Sequence, residues 1–431
     1  MSLSNKNTIS YQDVPCPFCS LICDDLEIKN QGGKLSVTQN GCHKARGVFE
    51  REQSKINPRI KGKNCSLEEA IGHAVKILKQ ANQPLIAGLG TDINGMRAVM
   101  ALAEKTGAII DHMYSDGAYK NIKVLQDHGW IMTTLAEIKN RADLIIFAGT
   151  DAASNYPRFF ERAVWNENSL AGMDIKKRQI IYIGENLDTS HGKTPNGKQP
   201  TYIPCKQEQI GEIIAILHAL VVGNKVEKTG LAGTKLTDLE KLAVRMKQAK
   251  YGVIVWAPGE LNFPHAELTV LSISELIKFM NRSTRYAGFS LGGNDGGMSA
   301  QNVSTWQSGY PLRVSYSNGY PDYDPHKYSA TNVLKRHEVD AMVWISSFGA
   351  DSKPPKARIP SIILADTPVK MEYTPDVYIP VATPGLDHTG QMIRTDSVVS
   401  LSLKQIRESK RMSVSGILNR VLLSLGKGNA D

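Results

Sequence analysis

The chain has 431 residues, 41% of them hydrophobic and 22% charged, a balance that supplies two or three domains with real cores and excludes a disordered or fibrous chain. Its formal net charge of +9 reflects 51 Lys and Arg against 42 Asp and Glu; the two signs are interleaved and no basic run carries aromatics, so nucleic acid is not an expected partner. No apolar run approaches bilayer length, and the N-terminal MSLSNKNTISYQDV lacks an apolar signal core, so the expectation is a cytoplasmic protein with no membrane partner and with reduced cysteines.

Four of the six cysteines, Cys16, Cys19, Cys23 and Cys42, fall in CPFCSLICDDLEI and NGCHKA and read C-x2-C-x3-C-x18-C. One irregular loop that presents three sulfurs, followed by a turn that supplies a fourth, is what an iron–sulfur cluster or a tetrahedral zinc requires, and the spacing does not choose between a 4Fe-4S cluster and zinc. The bland alternative is four small apolar side chains in a reducing compartment. Cys65 and Cys205 lie outside the pattern and read as structural.

Residues 1–66 read as a small four-cysteine module, with DLEIKNQGGKLSVTQ as a hairpin around Gly32 and Gly33. From Ser66 the pattern becomes helical: Ser66 is a plausible cap with Glu69 three residues on, and apolar residues follow at helical spacing. PLIAGLG then reads as a buried strand, and NGMRAVMALAEKTG as the helix after it. The same grammar repeats in the strand-like ADLIIFAGTD, RQIIYIGEN, YGVIVWAPGEL, DAMVWISSFGAD and PSIILADTP. Between them stand the helical PRFFERAVWN, EQIGEIIAILHALVVG, TDLEKLAVRMKQA, HAELTVLSISELIKFM and YSATNVLKRH. Continuous apolar strands need helices on both faces, so the fold class is α/β with doubly wound parallel sheets, and so many strands imply two sheets. In SVSGILNRVLLSLG, Val414, Ile417, Leu418, Val421, Leu422 and Leu425 share a helical face, which is expected to pack on its own domain.

Three familiar signatures fail on context. Gly88-Leu89-Gly90 follows a strand, but the next glycine is Gly95, so the dinucleotide fingerprint is not met. Gly288-Phe289-Ser290-Leu291-Gly292 fits a nucleophile elbow in letters only, because Gly293, Asn294, Asp295, Gly296 and Gly297 cannot start the helix that motif needs. The histidines are dispersed, and His112, His128 and His388 read as structural or solvated rather than as ligands.

A four-cysteine start leading into two interleaved α/β domains resembles the molybdopterin oxidoreductases, and in particular the B subunit of formylmethanofuran dehydrogenase. CPFCSLICDD with GCHKA resembles its cluster-binding start, and GLGTDINGMRAVMALAEKTGAIID its first sheet segment. KNRADLIIFAGTDAASNYPRFFER resembles the pterin-contacting strand and loop, and WQSGYPLRVSYSNGYPDYDP and PDVYIPVATPGLDHTGQMIRTDSV resemble two later blocks. The resemblance implies a discontinuous α/β domain over 67–115 and 251–405, an inserted Rossmann-like domain over 116–250 and a helical tail over 406–431. It also implies domains I–III without the C-terminal β-barrel, which the dehydrogenase carries on a separate subunit.

Two departures bear on function. Where the dehydrogenase has a metal-ligating cysteine after the IID strand, this chain reads Met113-Tyr114-Ser115-Asp116. Ser115 and Asp116 are therefore the degenerate active-site position, and as residues alone they read as solvated loop positions. In YIGENLDTS, Glu185 and Asp188 stand without the arginine that would address an anionic dinucleotide. These departures imply a noncatalytic subunit, similar to the B subunit of the bacterial formyltransferase/hydrolase complex in tetrahydromethanopterin-linked one-carbon metabolism. Its partners would be an amidohydrolase-like A subunit, a C subunit and a formyltransferase D subunit, and molybdopterin or tungstopterin would be absent. The alternative is a working molybdenum or tungsten formylmethanofuran dehydrogenase subunit, with Ser115 or Asp116 at the metal and the cysteine cluster feeding electrons.

Overall fold

The structure, a computed structural model, describes residues 8–227, 233–349 and 353–426. The first seven residues of the polar start, the last two of DAMVWISSFGAD and the last five of the 406–431 tail lie outside these ranges. The chain forms two compact units, Met1–Ser115 with Gly293–Asp431, and Asp116–Gly292.

The first unit begins with a three-stranded antiparallel sheet of β1 (Thr8–Val14), β2 (Leu26–Gln31) and β3 (Lys34–Gln39). The β2–β3 turn carries Gly32 and Gly33 at φ +59° and +92°, the left-handed pair that a two-residue hairpin turn needs. Helix α1 (His43–Phe49) and the short strands β4 (Arg59–Ile60) and β5 (Lys63–Asn64) follow. Helix α2 (Leu67–Gln80) starts with the expected capping box: Ser66 Oγ accepts from the Glu69 N–H at 3.2 Å, and the Glu69 carboxylate accepts from the Ser66 N–H at 2.7 Å. Strand β6 (Pro84–Gly90), helix α3 (Ile93–Thr106) and strand β7 (Ile109–His112) complete this leg of the chain.

The second unit comprises helices α4 (Ser115–His128) and α5 (Leu135–Arg141), strands β8 (Leu144–Ala148), β9 (Gln179–Ile183) and β10 (Thr201–Ile203), helices α6 (Ile210–Val222) and α7 (Leu236–Gln248), strand β11 (Tyr251–Trp256), helix α8 (Glu267–Met280) and strand β12 (Arg285–Ser290). Its strands form an all-parallel sheet in the order β10-β9-β8-β11-β12. The chain starts at β8, winds outward through β9 and β10, and returns to β11 on the other flank, the doubly wound topology expected of such strands. The boundary expected at residues 250/251 thus falls at 292/293. β11 pairs with both β8 and β12, and those ladders hold residues 251–292 in the second unit. PRFFERAVWN forms a π-helical turn over Phe160–Val164 instead of an α-helix, with the Trp165 N–H bonded to the Phe160 carbonyl at 2.7 Å. Phe147, Phe159, Phe160 and Tyr182 gather there in ring contact.

The chain then re-enters the first unit with α9 (Gly297–Ser308), β13 (Val314–Ser315), β14 (Asp322–Tyr323), α10 (Ala330–Lys335), β15 (Ala341–Ser346), β16 (Ser361–Ala365), β17 (Val377–Pro380), the hairpin β18 (Gly390–Ile393) and β19 (Ser400–Leu403), and α11 (Val414–Gly426). A nine-stranded sheet runs β14-β13-β7-β6-β15-β16-β17-β4-β5. Its middle, β7 to β17, is parallel, and its edges are antiparallel. Because β4 pairs with β17, the segment before residue 66 is stitched into this sheet rather than standing as a separate module. Val414, Ile417, Leu418 and Val421 of α11 join the same buried core, with Leu422 and Leu425 packed against it, so the C-terminal stripe covers its own domain. Among the described residues no helix is long and apolar enough to cross a membrane.

Candidate functional site

The cysteine loop lies in the first unit. Cys16, Cys19 and Cys23 are buried, Cys42 is half-buried, and none of the six cysteines is in a disulfide. The Cys16 N–H donates to the Cys23 carbonyl at 2.8 Å and the Ile22 N–H to the Cys19 carbonyl at 3.2 Å, with Ile22 in the left-handed region at φ +44°. These bonds turn residues 16–23 back on themselves. Cys42 is the N-cap of α1, its Sγ accepting from the Ala45 N–H at 3.5 Å, so the fourth thiol is placed by a helix start. Burial pushes the Cys16 thiol well up, and Cys19, Cys23 and Cys42 push the same way; Cys19 is pushed up to about 11, again chiefly by burial and also by Cys42. The four thiols therefore share one electrostatic neighbourhood. Among the described residues, no three His, Cys, Asp or Glu side chains are placed to hold a single metal ion.

Ser115 opens α4 and is buried, which corrects the expectation of a solvated loop position; Asp116, beside it, is exposed. The Ser115 Oγ accepts from Arg313 Nη2 at 3.0 Å, and the same guanidinium reaches Asp111 Oδ1 through Nε at 3.4 Å and the Pro325 carbonyl at 2.7 Å. Asp111, at the end of β7, also accepts from the Ala330 N–H at 2.8 Å. Arg313 and Asp111 have only 6% and 3% of their side chains exposed, so this is an interior ion pair in which the hydroxyl is one acceptor. A metal cation at Ser115 would face a fixed guanidinium, the reverse of what a ligand position needs.

His112, the last residue of β7, has its Nδ1 accepting from the Tyr114 N–H at 3.1 Å, which puts the proton on Nε2, facing the Asp295 carbonyl at 3.3 Å. Both ring nitrogens thus face backbone groups. Burial pushes its pKa down to about 4, the Asp295 hydrogen bond working in the opposite direction. The sign follows from linkage: between pH 6.5 and 4 the unfolded chain binds a proton that the native one refuses, so stability falls as pH falls through that window, by about 3 kcal/mol overall. Urea midpoints measured from pH 7 to 4 are expected to decline less steeply in His112→Asn than in the wild type.

In open α/β sheets, ligands bind beyond the carboxyl ends of the strands, where the winding reverses. In the nine-stranded sheet that point lies between β6 and β15, and the chain fills it with its own backbone. Ser347 donates to the Gly90 carbonyl through both its N–H and its Oγ, at 2.8 Å each. Gly296, at φ +76°, lies so close that a Cβ there would stand 2.3 Å from the Thr91 carbonyl oxygen, and a Cβ on Gly390 would stand 2.7 Å from Asp92 Oδ2. The Gly-rich loop is thus a plug that only glycine fits at Gly296. In the five-stranded sheet the corresponding ends remain open. A cavity of about 460 Å³ is lined by Asp151 after β8, Glu185 after β9, Glu208 after β10 and Glu260 after β11. No lysine or arginine is among its described lining residues. Asp188, just outside it, accepts from the Ser190 N–H.

Ser115 and the cysteines are legible as candidates in the sequence, whereas Arg313 and Asp111 do not stand out there. The one available signal is an acidic residue, Asp111, at the end of an otherwise apolar strand, which demands a buried partner.

The geometry defines a class first: a two-unit α/β protein with mainly parallel sheets and a cysteine-rich loop on the unit formed by the chain's two ends. No family model matches the chain. A chain of the formyltransferase/hydrolase complex FhcABCD from Methylorubrum extorquens, crystallised with methylofuran, shares the fold, with a TM-score of 0.72 at 23% identity over 85% of this chain and 98% of that one. The B subunit of the tungsten-containing formylmethanofuran dehydrogenase 2 of Methanococcus maripaludis is 25% identical over 430 residues, 96% of this chain and 98% of its own length. The counterpart in Methanocaldococcus jannaschii is 26% identical over 403 residues, covering 90% and 92%. The B subunit of the formyltransferase/hydrolase complex Fhc of Methylorubrum extorquens is 27% identical over 300 residues, covering 68% and 75%. The chain is a homologue of these formylmethanofuran dehydrogenase and Fhc B subunits.

Proposed function

We propose that this chain is the B subunit of a formyltransferase/hydrolase complex in tetrahydromethanopterin-linked oxidation of one-carbon units, and that it serves assembly while partner subunits carry the chemistry. Those partners are an amidohydrolase-like A subunit, a C subunit and a formyltransferase D subunit. The observation that carries this reading is the Arg313–Ser115 hydrogen bond inside the Asp111–Arg313 ion pair. The position that would ligate molybdenum or tungsten in a dehydrogenase is committed to internal structure.

The remaining residues support the same reading. An anionic pterin dinucleotide does not fit the cavity of the second unit, where its diphosphate would meet four carboxylates and, among the described lining residues, no cation. The cysteine loop, in contrast, supports a sulfur-ligated group: Cys16 feels the charge of Cys19, Cys23 and Cys42, Cys19 that of Cys42, and the buried Ser20 Oγ has no partner among the described residues. A 4Fe-4S cluster is the preferred occupant over zinc, since its ligands bind different metal atoms and need not meet at one point. Such a cluster, when bound, supplies one-electron transfer. In this chain its ligands also tie the Cys16–Cys23 loop to the start of α1.

A second reading, an active dehydrogenase subunit, is favoured by the wider coverage of the tungsten-enzyme relatives, 96% against 68% of this chain. Ser115→Ala separates the two. In the assembled complex it is expected to leave formyl transfer and formate release within about twofold of wild type; a redox interconversion of carbon dioxide and a formyl group in the wild-type complex that falls about 100-fold or more in Ser115→Ala, with the complex intact, would show that Ser115 serves a metal.

A further inference from the structure

The loop that carries three of the four cysteines also holds a buried hydroxyl with no hydrogen-bond partner among the described residues. Ser20, between Cys19 and Cys23, is 1% exposed, and its Oγ is buried without a hydrogen-bond partner among the described residues. Both of its backbone groups are committed. Its N–H donates to Asn294 Oδ1 at 3.1 Å and its carbonyl accepts from the Thr395 N–H at 2.8 Å, so residues from the Gly-rich loop and from beyond β18 hold Ser20 in place. A buried hydroxyl that donates to nothing is costly, and native proteins keep one where an ion, cofactor or water completes it. Some buried serine hydroxyls in this unit find partners, Ser347 on Gly90 and Ser304 on Tyr310, whereas Ser361 at the start of β16, like Ser20, has none among the described residues.

We propose that the Ser20 hydroxyl donates a hydrogen bond to a sulfur of the group held by Cys16, Cys19, Cys23 and Cys42, and so sets its reduction potential. This rests on the cluster reading of the quartet. Each cluster sulfur and thiolate gains negative charge when the cluster accepts an electron, so a fixed O–H aimed at one stabilises the reduced form and raises the potential. Ser20 is a positioning residue: it forms no bond to metal, and its backbone anchors define where its hydroxyl sits.

The test uses the full-length protein purified anaerobically, with iron and sulfide assayed and the cluster titrated with dithionite as the one-electron donor. Ser20→Ala is expected to keep the wild-type iron and sulfide content and to shift the reduction equilibrium about tenfold against the reduced form, a drop of about 59 mV for one electron. Ser20→Thr, which retains the hydroxyl, is expected to return towards the wild-type potential. An unchanged potential in Ser20→Ala at full cluster content overturns the hydrogen bond while leaving the quartet's role intact. Wild-type protein that binds no iron or sulfide, even after anaerobic reconstitution, overturns the cluster reading itself. Should Ser20→Ala fold poorly, exchangeable-proton couplings to the reduced wild-type cluster decide: a coupling that Ser20→Thr retains supports the proposal, and its absence in the wild type overturns it.

Discussion

Replacing Arg178 by methionine is expected to unfold the second unit under conditions where the wild-type chain is folded. Arg178 is 1% exposed, and its guanidinium donates to five backbone carbonyls: Ala142 at 2.6 Å, Ile138 and Lys139 at 3.0 Å each, Ala163 at 3.3 Å, and Val164. Three of these belong to the end of α5, where the Ile138 carbonyl also accepts from the Ala142 N–H, and two to the π-helical turn. One side chain therefore caps two elements and stitches them to the start of β9. Burial of the cation pushes its pKa down to about 10, partly offset by Asp143, and it stays charged at neutral pH. Methionine fills the volume but takes the guanidinium's five hydrogen bonds away from these carbonyls, at a cost of about 5 kcal/mol or more. Lysine restores the charge without the planar fork and is expected to recover less than half of that loss. Urea unfolding, with amide exchange followed separately in the two units, checks both substitutions; a destabilisation under about 1 kcal/mol would refute the capping role.

Asp111→Ala is expected to cost roughly 3–5 kcal/mol, because it leaves the Arg313 guanidinium buried without its carboxylate and also strips the Ala330 N–H of its acceptor. Removing both charges with Asp111→Ala and Arg313→Met together is expected to be milder than Asp111→Ala alone, since an apolar pair of similar volume avoids the uncompensated charge. A double-mutant cycle in urea measures this coupling. Additive losses from the two single substitutions would mean that the pair contributes nothing as a pair. The result also bears on Ser115, whose hydroxyl is the third member of the network.

Much of the scaffold is readable from local pattern. The Gly32–Gly33 hairpin, the Ser66–Glu69 capping box and the apolar runs of β6, β8, β9, β11, β15 and β16 are signals contained within a few residues. What stays hidden depends on contacts between distant segments. The strand at 251–256 carries the same apolar run whichever sheet it joins, and only its pairing with Leu144–Ala148 assigns it to the second unit. Strand β12 is hard to see because RYAGFS is short and its glycine and serine invite a motif reading. The π-helical turn looks helical in sequence, and its register is decided by the rings around Phe147 and by Arg178. The same holds at the candidate site. Cysteine spacing is local and legible, but Ser115 looks solvated until Arg313, 198 residues away, is placed on it.

The carboxyl ends of the two sheets differ. One is plugged by the chain's own Gly296 loop, and the other opens into an acidic cavity. The acidic cavity has no lysine or arginine among its described lining residues and so lacks the cationic lining that a diphosphate-bearing cofactor requires. The cysteine loop carries three buried thiols and, at Ser20, a buried hydroxyl with no partner among the described residues.

The most direct test of the central claim is purification of the tagged chain from its native host, with co-purifying proteins identified by mass spectrometry and tungsten, molybdenum and pterin quantified on the same sample. The expected result is co-purifying A, C and D subunits that transfer formyl groups and release formate, with tungsten, molybdenum and pterin far below one per complex. Stoichiometric tungsten or molybdenum with a pterin, in a complex that interconverts carbon dioxide and a formyl group, would contradict it.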